Sequence, residues 1–228
     1  MIIGALADVH GNFDAMTRAM EQHPRVPFWI CVGDLASRTG AYPTPVKPLY
    51  WIKGNNENFD RIAAFAAGRD TVPNLHFIAN GTAVSVGPLR VAGLGGTFAP
   101  TWFDTPPDKL PGKPSDDKRR HFVRAEVEAV KRLPGVDILM THEAPRPFIL
   151  VDEPAPGRQA PRRRDAGKPA INDVLATLKP RLHLCGHHHR FIETTREGVR
   201  SVCIDRVNRS YLLVDANTLE YEKIDQGP

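Results

Sequence analysis

The chain has 228 residues, of which 41% are hydrophobic and 25% are charged, and its formal net charge is +4. This ordinary globular composition predicts one domain over 1–228 with a well-buried core. No apolar stretch approaches the length of a membrane span, and the apolar start, 1–7, lacks the basic leader of a signal peptide. An odd number of cysteines, all in apolar runs, argues against a disulfide framework and favours a reducing cytoplasm. They are Cys31, Cys185 and Cys203.

The first third of the chain alternates between strand-like and helix-like patterns. Short apolar runs end in Gly- or Asn-containing loops, and the alanine-containing segments between them place apolar residues at helical spacing. The predicted strands are Met1–Ala7, Phe28–Val32 and Leu49–Lys53, and the predicted helices are Asp14–Gln22 and Asp60–Ala67. This alternation is typical of an α/β protein, in which ligands bind beyond the carboxyl ends of the strands.

The pattern changes after the second helix. Three short strands, Leu75–Ile78, Thr82–Val86 and Leu89–Leu94, are joined by Asn-Gly and Gly-Pro turn signals. They predict an antiparallel section on a second sheet. The segment 99–115, rich in proline and aspartate, is predicted to be a surface loop. The spacing of apolar residues after it predicts the longest helix, over Asp116–Leu133.

The last part of the chain returns to alternating strands and helices around one insertion. The proline- and arginine-rich segment 146–169 has no hydrophobic period, which predicts a flexible loop insertion or a lid. Within it, Gly157–Lys168 holds five basic residues and one acidic residue, an excess of +4, so an anionic ligand is expected beside this part of the chain. The other predicted elements are a helix, Ile171–Leu178, and the strands Val136–Met140, Leu182–Cys185, Phe191–Thr194, Val199–Ile204, Tyr211–Val214 and Leu219–Ile224.

Polar residues that can bind metal follow five of the predicted strands. They are Asp8, His10, Asp34, Asn55, His142, His187 and His189. Carboxylate, amide and imidazole donors without a thiolate favour Mn, Fe or Zn. This set exceeds the needs of one tetrahedral ion and fits two divalent ions that share a carboxylate, for which Asp34 is the natural candidate. Two such ions, about 3.5–4 Å apart, lower the pKa of a bound water and stabilise in-line displacement at phosphorus.

The candidate ligands fall into five blocks that share an order and spacing with a known family. The blocks are Asp8-x-His10, Gly33-Asp34, Gly54-Asn55, His142 and Gly186-His187-x-His189. With them the chain resembles the calcineurin-like metallophosphoesterase superfamily. The resemblance implies a four-layer αββα sandwich within the α/β class: two mixed sheets face to face, with helices outside. It also implies that one metal binds Asp8, His10, Asp34 and His189, and that the other binds Asp34, Asn55, His142 and His187.

One position departs from the family pattern. Many members have a histidine after the ligand asparagine, as general acid for the leaving group, whereas this chain has Asn56. Asparagine can donate a hydrogen bond to phosphate but cannot deliver a proton. Asn56 is therefore predicted to contact the substrate, and His188 or a metal-bound water is the candidate for the missing acid. Members that resemble this variant are often phosphodiesterases, or act best on activated esters.

Further substrate contacts are predicted at Asn12, Arg162 and Arg163, because guanidinium groups in particular pair well with phosphate oxygens. The alternative is that Asn12 is a plain turn residue and that the two arginines lie in a solvated loop. In the middle of the chain, three stretches resemble the RNA lariat debranching branch of the superfamily, which cleaves a 2′,5′-phosphodiester. These stretches are Gly93-Leu94-Gly95-Gly96, Arg119-Arg120-His121-Phe122-Val123-Arg124 and Thr141-His142-Glu143-Ala144-Pro145.

The predicted function is therefore that of a dinuclear, metal-dependent phosphodiesterase. Its partner is a phosphate-ester substrate, with a nucleotide or a nucleic acid as candidates, and no membrane is expected. Two alternatives stay open. One is a phosphomonoesterase that acts on phosphoprotein or nucleotide, and the other is a non-catalytic scaffold of the same fold. The sequence does not indicate an oligomeric state.

Overall fold

The computed structural model describes residues 1–113, 115–152 and 162–227. Within these ranges, no helix combines the length and the apolar character that crossing a membrane requires. The helices are α1 (Phe13–Gln22), α2 (Phe59–Ala66), α3 (Arg124–Lys131) and α4 (Pro169–Leu178). The strands are β1 (Ile2–Leu6), β2 (Trp29–Cys31), β3 (Leu49–Trp51), β4 (Leu75–Phe77), β5 (Ala83–Val86), β6 (Leu89–Leu94), β7 (Thr97–Phe98), β8 (His121–Phe122), β9 (Ile138–Thr141), β10 (Ile149–Asp152), β11 (Arg162–Asp165), β12 (Leu182–Cys185), β13 (Ile192–Arg196), β14 (Val199–Cys203), β15 (Ser210–Asp215) and β16 (Tyr221–Asp225).

The first large sheet has the strand order β16-β15-β1-β2-β3-β4. Strands β1 to β4 are parallel to one another, and the two C-terminal strands add antiparallel pairs at one side. Helices α1 and α2 provide two of the crossovers between the parallel strands. The carboxyl ends of β1, β2 and β3 therefore lie at the same edge of this sheet.

The second large sheet has the strand order β13-β14-β12-β9-β6-β5. Its four central strands, β14, β12, β9 and β6, are parallel, whereas β13 and β5 pair antiparallel at the two outer positions. The carboxyl ends of β9 and β12 thus meet at one edge. Two small sheets, β7 with β8 and β10 with β11, flank this arrangement.

The two large sheets share one hydrophobic core between their facing surfaces. Ile30 of the first sheet and Met140 of the second are both fully buried within it. On the outer surfaces, Met16 of α1 packs on the first sheet and Val130 of α3 packs on the second. Burial of each such side chain contributes about 1.5–3 kcal/mol, which fixes the layer order. The predicted four-layer αββα sandwich is confirmed.

The strand at Leu75–Phe77 differs from the prediction of an antiparallel section on the second sheet. It pairs in parallel with β3 on the first sheet, and β5 and β6 alone form the predicted antiparallel hairpin. The Asn-Gly dipeptide that suggested a hairpin has another role. The Asn80 amide bonds the backbone N–H and carbonyl of Gly95, at 2.6 and 3.0 Å. This turn carries the chain from one sheet to the other.

The long helix predicted over Asp116–Leu133 is also wrong in its extent. Helix α3 covers Arg124–Lys131, and the residues before it form a 3-10 turn and the short strand β8. The Glu126 carboxylate accepts the Val123 N–H at 2.9 Å and so marks the first turn of the helix. Apolar residues continue at helical spacing on both sides of this point, so periodicity alone could not locate the boundary.

Both ends of the insertion at 146–169 have regular structure, contrary to the prediction of a loop. Strands β10 and β11 pair antiparallel, with Ile149 opposite Asp165 and Leu150 opposite Arg164. Leu150 is buried, which anchors the hairpin to the body of the protein. The arginine run in β11 hides the alternation that usually reveals a strand. The centre of the insertion, 153–161, lies outside the described residues.

Candidate metal centre

The predicted metal ligands meet where the carboxyl edges of the two sheets adjoin. Each follows a parallel strand, and the first sheet supplies the two aspartates while the second supplies most of the histidines. The ligand atoms form two groups, and within each group they lie within 4.8 Å of one another. The groups are Asp8, His10 and His189, and Asp34, His142 and His187.

The first group has the arrangement expected of ligands around one cation. The Nε2 atoms of His10 and His189 are 3.1 Å apart, and Asp8 Oδ1 lies 3.7 and 3.4 Å from them. The other oxygen, Asp8 Oδ2, accepts the backbone N–H of His187 at 2.9 Å. Asp8 Oδ1 is buried and has no hydrogen-bond donor among the described residues. Because such an oxygen is costly, a cation between it and the two imidazoles fits this donor set.

The second group is organised around His142. Its Nδ1 lies 2.9 Å from the carbonyl oxygen of Val32, to which it donates, so Nε2 faces Asp34 at 3.5 Å and Asn55 Oδ1 at 3.0 Å. Burial disfavours the charged ring, but the Asp34 carboxylate outweighs burial and raises the pKa of His142 to about 10. The site therefore attracts positive charge at this position. A divalent cation in place of the Nε2 proton would contact the same oxygens.

Asp34 lies between the two groups. Its Oδ2 atom is 3.6 Å from His10 Nε2 and 3.5 Å from His142 Nε2. Asn56 holds the carboxylate with two hydrogen bonds, from its backbone N–H to Oδ1 at 2.7 Å and from its amide to Oδ2 at 2.8 Å. Burial alone would raise the pKa of Asp34, but His142 and Asn56 together hold it below its usual range. One carboxylate oxygen thus faces a histidine of each group.

Five of the candidate ligands have a left-handed backbone. Their φ angles are 49° at Asp8, 48° at His10, 53° at Asp34, 67° at His187 and 51° at His189. Non-glycine residues seldom adopt this region, and each instance costs on the order of 1–3 kcal/mol. Such conformations persist only where the surroundings enforce them, and they cluster at functional sites.

The glycines of the motifs give the ligands room. A Cβ atom at Gly54 would lie 2.0 Å from Asp34 Oδ1, and one at Gly186 would lie 2.6 Å from Asp8 Oδ2. Any larger residue at either position would therefore push an aspartate out of place. This close approach explains why glycine stands before Asn55 and before His187.

The two residues predicted to act on the substrate occupy different surroundings. Asn56 lines a cavity beside the ligands, although its amide is bonded to Asp34. The side chain of His188 is 7% exposed, stacks on Phe148 at 4.6 Å, and places Nε2 3.9 Å from Glu143 Oε2. Burial lowers the pKa of His188 to about 3, so its ring is neutral at pH 7. The catalytic roles of both residues stay predictions.

The other predicted substrate contacts are dispersed. Asn12 Oδ1 accepts the N–H of Ala15 at 3.3 Å, which makes Asn12 the N-cap of α1, and Asn12 also lines a small cavity with His10. Arg163 is exposed on β11, and the side chain of Arg162 lies outside the described residues. Their contact with substrate stays a prediction.

A larger cavity of about 640 Å³ opens beside His10, Asn55 and Asn56. Its lining includes a basic wall, a set of side chains that the sequence analysis did not single out as site residues. They are Arg38, Lys113, Arg119 and Arg120. These residues come from two distant loops, so no local motif unites them. Their only sequence signal is a short basic run at 118–120 after an acidic pair.

Glu57 is another functional residue that the sequence analysis missed. Its carboxylate accepts the backbone N–H groups of Leu35, Ala36 and Gly54 at 3.0 to 3.2 Å, and the Tyr42 hydroxyl at 2.9 Å. Glu57 thus holds the loop after β2 against the loop after β3. Burial, together with the nearby Asp34 carboxylate, raises the pKa of Glu57 to about 7. Its position two residues after Asn55 was the available signal.

With this fold and this pair of ligand groups, the chain belongs to the calcineurin-like phosphoesterase family, whose match covers residues 1–191. The predicted family is confirmed. Two similar curated proteins are lariat debranching enzymes. The one from Schizosaccharomyces pombe is 25% identical over 197 residues, which cover 79% of this chain and 42% of that protein. The one from Entamoeba histolytica is 20% identical, over 97% of this chain and 75% of that protein. The chain thus spans less than half the length of the Schizosaccharomyces pombe relative.

Solved structures share the fold at low sequence identity. The Thermus thermophilus protein TT1561 superposes with a TM-score of 0.64 at 15% identity, over 98% of each chain. A structure described as a novel archaeal phosphodiesterase superposes with a TM-score of 0.50 at 12% identity, over 99% of each chain. At these identities the likeness concerns the fold alone.

Proposed function

We propose that this chain is a metal-dependent phosphodiesterase that binds two divalent cations. The observation that carries the proposal is the position of Asp34 Oδ2, at 3.6 Å from His10 Nε2 and 3.5 Å from His142 Nε2. A carboxylate oxygen that faces a histidine of each group is suited to being shared by two cations. The buried and unpartnered Asp8 Oδ1 supports a cation in the first group.

The donor atoms indicate which residues would bind each cation and which metals they favour. Asp8, His10 and His189 would hold one cation, and Asn55, His142 and His187 the other, with Asp34 shared. Nitrogen and oxygen donors without sulfur favour Mn, Fe or Zn. When bound, the cations would polarise a phosphoryl oxygen and lower the pKa of a water at the site. The strained, glycine-backed loops hold the donors in place before any cation arrives.

The surroundings of Asn56 favour a diester over a monoester. Its amide bonds Asp34, so Asn56 positions that carboxylate and carries no proton for a leaving group. Family members with a histidine at this position have a general acid for the leaving group, which Asn56 does not replace. An activated or well-solvated leaving group needs it less. We therefore propose that diesters with good leaving groups are turned over best.

The similar curated proteins support a nucleic acid as the natural substrate. Both are lariat debranching enzymes, a name that describes action on a nucleic-acid phosphodiester. The basic wall of the larger cavity fits an anionic chain of this kind. We propose the cytoplasm as the compartment, because the three cysteines are buried and free.

Hydrolysis of bis-p-nitrophenyl phosphate and of p-nitrophenyl phosphate, each with added Mn, Fe or Zn, tests the proposal. We expect a higher kcat/KM for the diester, and a loss of at least about 100-fold in Asp34→Asn and His142→Ala. Matched controls are Asp108→Asn and His76→Ala, which remove the same groups at exposed positions.

Full activity in Asp34→Asn would overturn the proposal of a shared carboxylate. A preference for p-nitrophenyl phosphate would instead identify a phosphomonoesterase. Absence of bound metal after incubation with each ion, measured by elemental analysis, would identify a scaffold. Circular dichroism of every variant separates loss of the site from loss of the fold.

A further inference from the structure

The larger cavity has more room than one phosphate group needs. Its volume of about 640 Å³ lies within the range of about 300–1,000 Å³ that is typical of sites for drug-sized ligands. It is lined by His10 and Asn55, and by Asn58, the N-cap of α2, with the first two residues of that helix. The basic wall, which comes from Arg38 and the loop before β8, lines the same cavity. A substrate bound at the ligands would therefore share this cavity with the basic side chains.

The basic residues of the wall differ in their partners. The Arg119 guanidinium is neutralised by Asp117 at 2.6 Å and by Asp60 at 2.7 Å. By contrast, none of the carboxylates in the described ranges forms an ion pair with Arg38, Lys113 or Arg120. These three cations line the cavity without a direct ion pair among the described residues, and the charge of Arg120 is partly offset by the nearby carboxylates of Asp116 and Asp117. A wall of this kind is suited to an anionic group that the ligand supplies.

The wall is rigidly attached to the metal centre. Lys53 is 8% exposed, and its ammonium donates to the backbone carbonyls of Arg119 at 2.8 Å and His121 at 3.3 Å. Lys53 directly precedes Gly54 and Asn55 in the chain. Arg120 is further oriented by its Nε, which donates to the Asp117 carbonyl at 2.7 Å. The position of the loop before β8 relative to Gly54 and Asn55 is therefore set by the fold.

We propose that Arg38, Lys113 and Arg120 bind a second phosphate of the substrate, beyond the one that is hydrolysed. The preferred substrate would then be a diester that carries a further phosphate along its chain. This inference rests on the proposed function and deepens it, because it separates an oligonucleotide-like substrate from a simple diester. The second phosphate can be internal or terminal in the substrate, and both have the chemistry that guanidinium groups bind.

Chromogenic thymidine esters provide a direct kinetic test. The substrates are thymidine 5′-(p-nitrophenyl phosphate), its 3′-phosphate, and its 3′-(methyl phosphate), assayed with the most activating metal. We expect the 3′-phosphorylated substrates to have kcat/KM about tenfold higher than the parent, as one charge-assisted contact gives. A higher value for the methyl ester indicates an internal phosphate, and a higher value for the free phosphate indicates a terminal one.

The variants Arg38→Gln and Arg120→Gln test which residues bind the phosphate. We expect the ratio of kcat/KM between phosphorylated and parent substrate to fall from about ten to near one in the double variant. Arg25→Gln, which removes the same charge at an exposed position away from the cavity, should keep the wild-type ratio. An unchanged ratio in the double variant, or equal rates for all three substrates in the wild type, would overturn the inference.

A binding measurement keeps the inference testable if the chain hydrolyses none of these esters. Calorimetric titration with thymidine 3′,5′-bisphosphate and with thymidine 5′-phosphate, in the presence of a chelator, needs no activity. We expect the wild type to bind the bisphosphate about tenfold more tightly, and the double variant to lose that difference. Equal affinities of the wild type for the bisphosphate and the monophosphate would contradict the second phosphate site. The proposed function would be unaffected by that result.

Discussion

Asn56 shows how a side chain beside a ligand takes on a role that its residue type does not reveal. Its sequence position suggests a contact to phosphate, but in the structure its amide donates to Asp34 Oδ2 at 2.8 Å. Partners of metal ligands set the orientation of the ligand and its affinity for metal. A residue that orients Asp34 affects the affinity for metal, whereas a residue that contacts phosphate affects KM. Kinetic measurements can therefore distinguish the two roles.

We expect Asn56→Ala to weaken metal binding by about 10- to 100-fold, because Asp34 loses a donor that orients it. The measurement is the metal concentration that gives half-maximal activity, together with calorimetric titration of the metal. At saturating metal, kcat should return toward the wild-type value. A raised KM with unchanged metal affinity would instead show that Asn56 contacts the substrate. Asn217→Ala, in an exposed turn, is the control.

Local sequence pattern predicted the candidate ligands but not the residues that position them. Asp8, His142 and the other ligands each follow an apolar strand within a short motif, so local pattern was sufficient. Lys53 and Glu57 act through contacts with backbone groups that are distant in sequence. Such contacts depend on how the strands are ordered in the sheets, which local pattern does not encode.

At the scale of elements, strand β12 is tied to both neighbours by a buried histidine. His183 Nε2 lies 2.8 Å from Thr141 Oγ1 on β9, and Nδ1 lies 2.7 Å from Ser201 Oγ on β14. The Thr141 hydroxyl donates to the Glu143 carbonyl, so its oxygen accepts the Nε2 proton. Each ring nitrogen of His183 therefore has a hydrogen-bond partner when the ring is neutral. Burial lowers the pKa of His183 to about 3.

This depressed pKa predicts an acid-linked loss of stability. Between pH 6.5 and about 3 the unfolded chain binds a proton at His183 that the folded chain does not, so stability falls as pH falls. Each pH unit corresponds to about 1.4 kcal/mol. From pH 6.5 to 4.5 we expect the wild type to lose about 2 kcal/mol more than His183→Gln, because the unfolded histidine is only half protonated at the upper pH.

Urea unfolding of the metal-free proteins across this pH range gives the comparison. The exposed variant His76→Gln should follow the wild-type curve. Parallel curves for the wild type and His183→Gln would show that His183 keeps its ordinary pKa in the fold. Other buried histidines contribute equally to all three proteins, so they cancel in the difference.

Elements were predicted well where periodicity and turn chemistry agree. The parallel strands and the C-terminal antiparallel strands fall close to their predicted positions. The errors arise where one signal has two structural outcomes. Asn80-Gly81 is a hairpin signal, yet here it links the two sheets through Gly95. The basic strand β11 carries no apolar alternation, because Arg163, Arg164 and Asp165 follow one another as exposed residues.

At the scale of the whole molecule, the candidate metal centre draws its residues from both sheets. Asp8, Asp34 and Asn55 follow strands of the first sheet, whereas His142 and His187 follow strands of the second. Behind this edge, apolar side chains from the facing surfaces of the two sheets pack together in one cluster. Cations bound at both groups would join the layers across the core. Metal binding should therefore raise the free energy of unfolding of the whole domain.

We expect chelation to lower the melting temperature. Metal at 100 times its dissociation constant stabilises the folded state by about 2.7 kcal/mol, which is about 5–10 °C for a domain of this size. Differential scanning calorimetry with and without Mn measures the shift. Asp34→Asn should show little shift, and Asp108→Asn should show the wild-type shift. A melting temperature independent of metal in the wild type would contradict the proposed centre.

The left-handed backbone at five ligands also limits how this centre changes over generations. Asparagine tolerates that conformation about as well as aspartate and histidine, whereas valine or isoleucine would distort the loop. Replacement of Asp8 or His189 by asparagine would thus abolish hydrolysis and leave the backbone of the loops unchanged. Lineages that have lost activity would keep nearly the same backbone trace. Superposition alone is therefore a weak guide to which descendants still catalyse, and the identity of these few side chains is the better one.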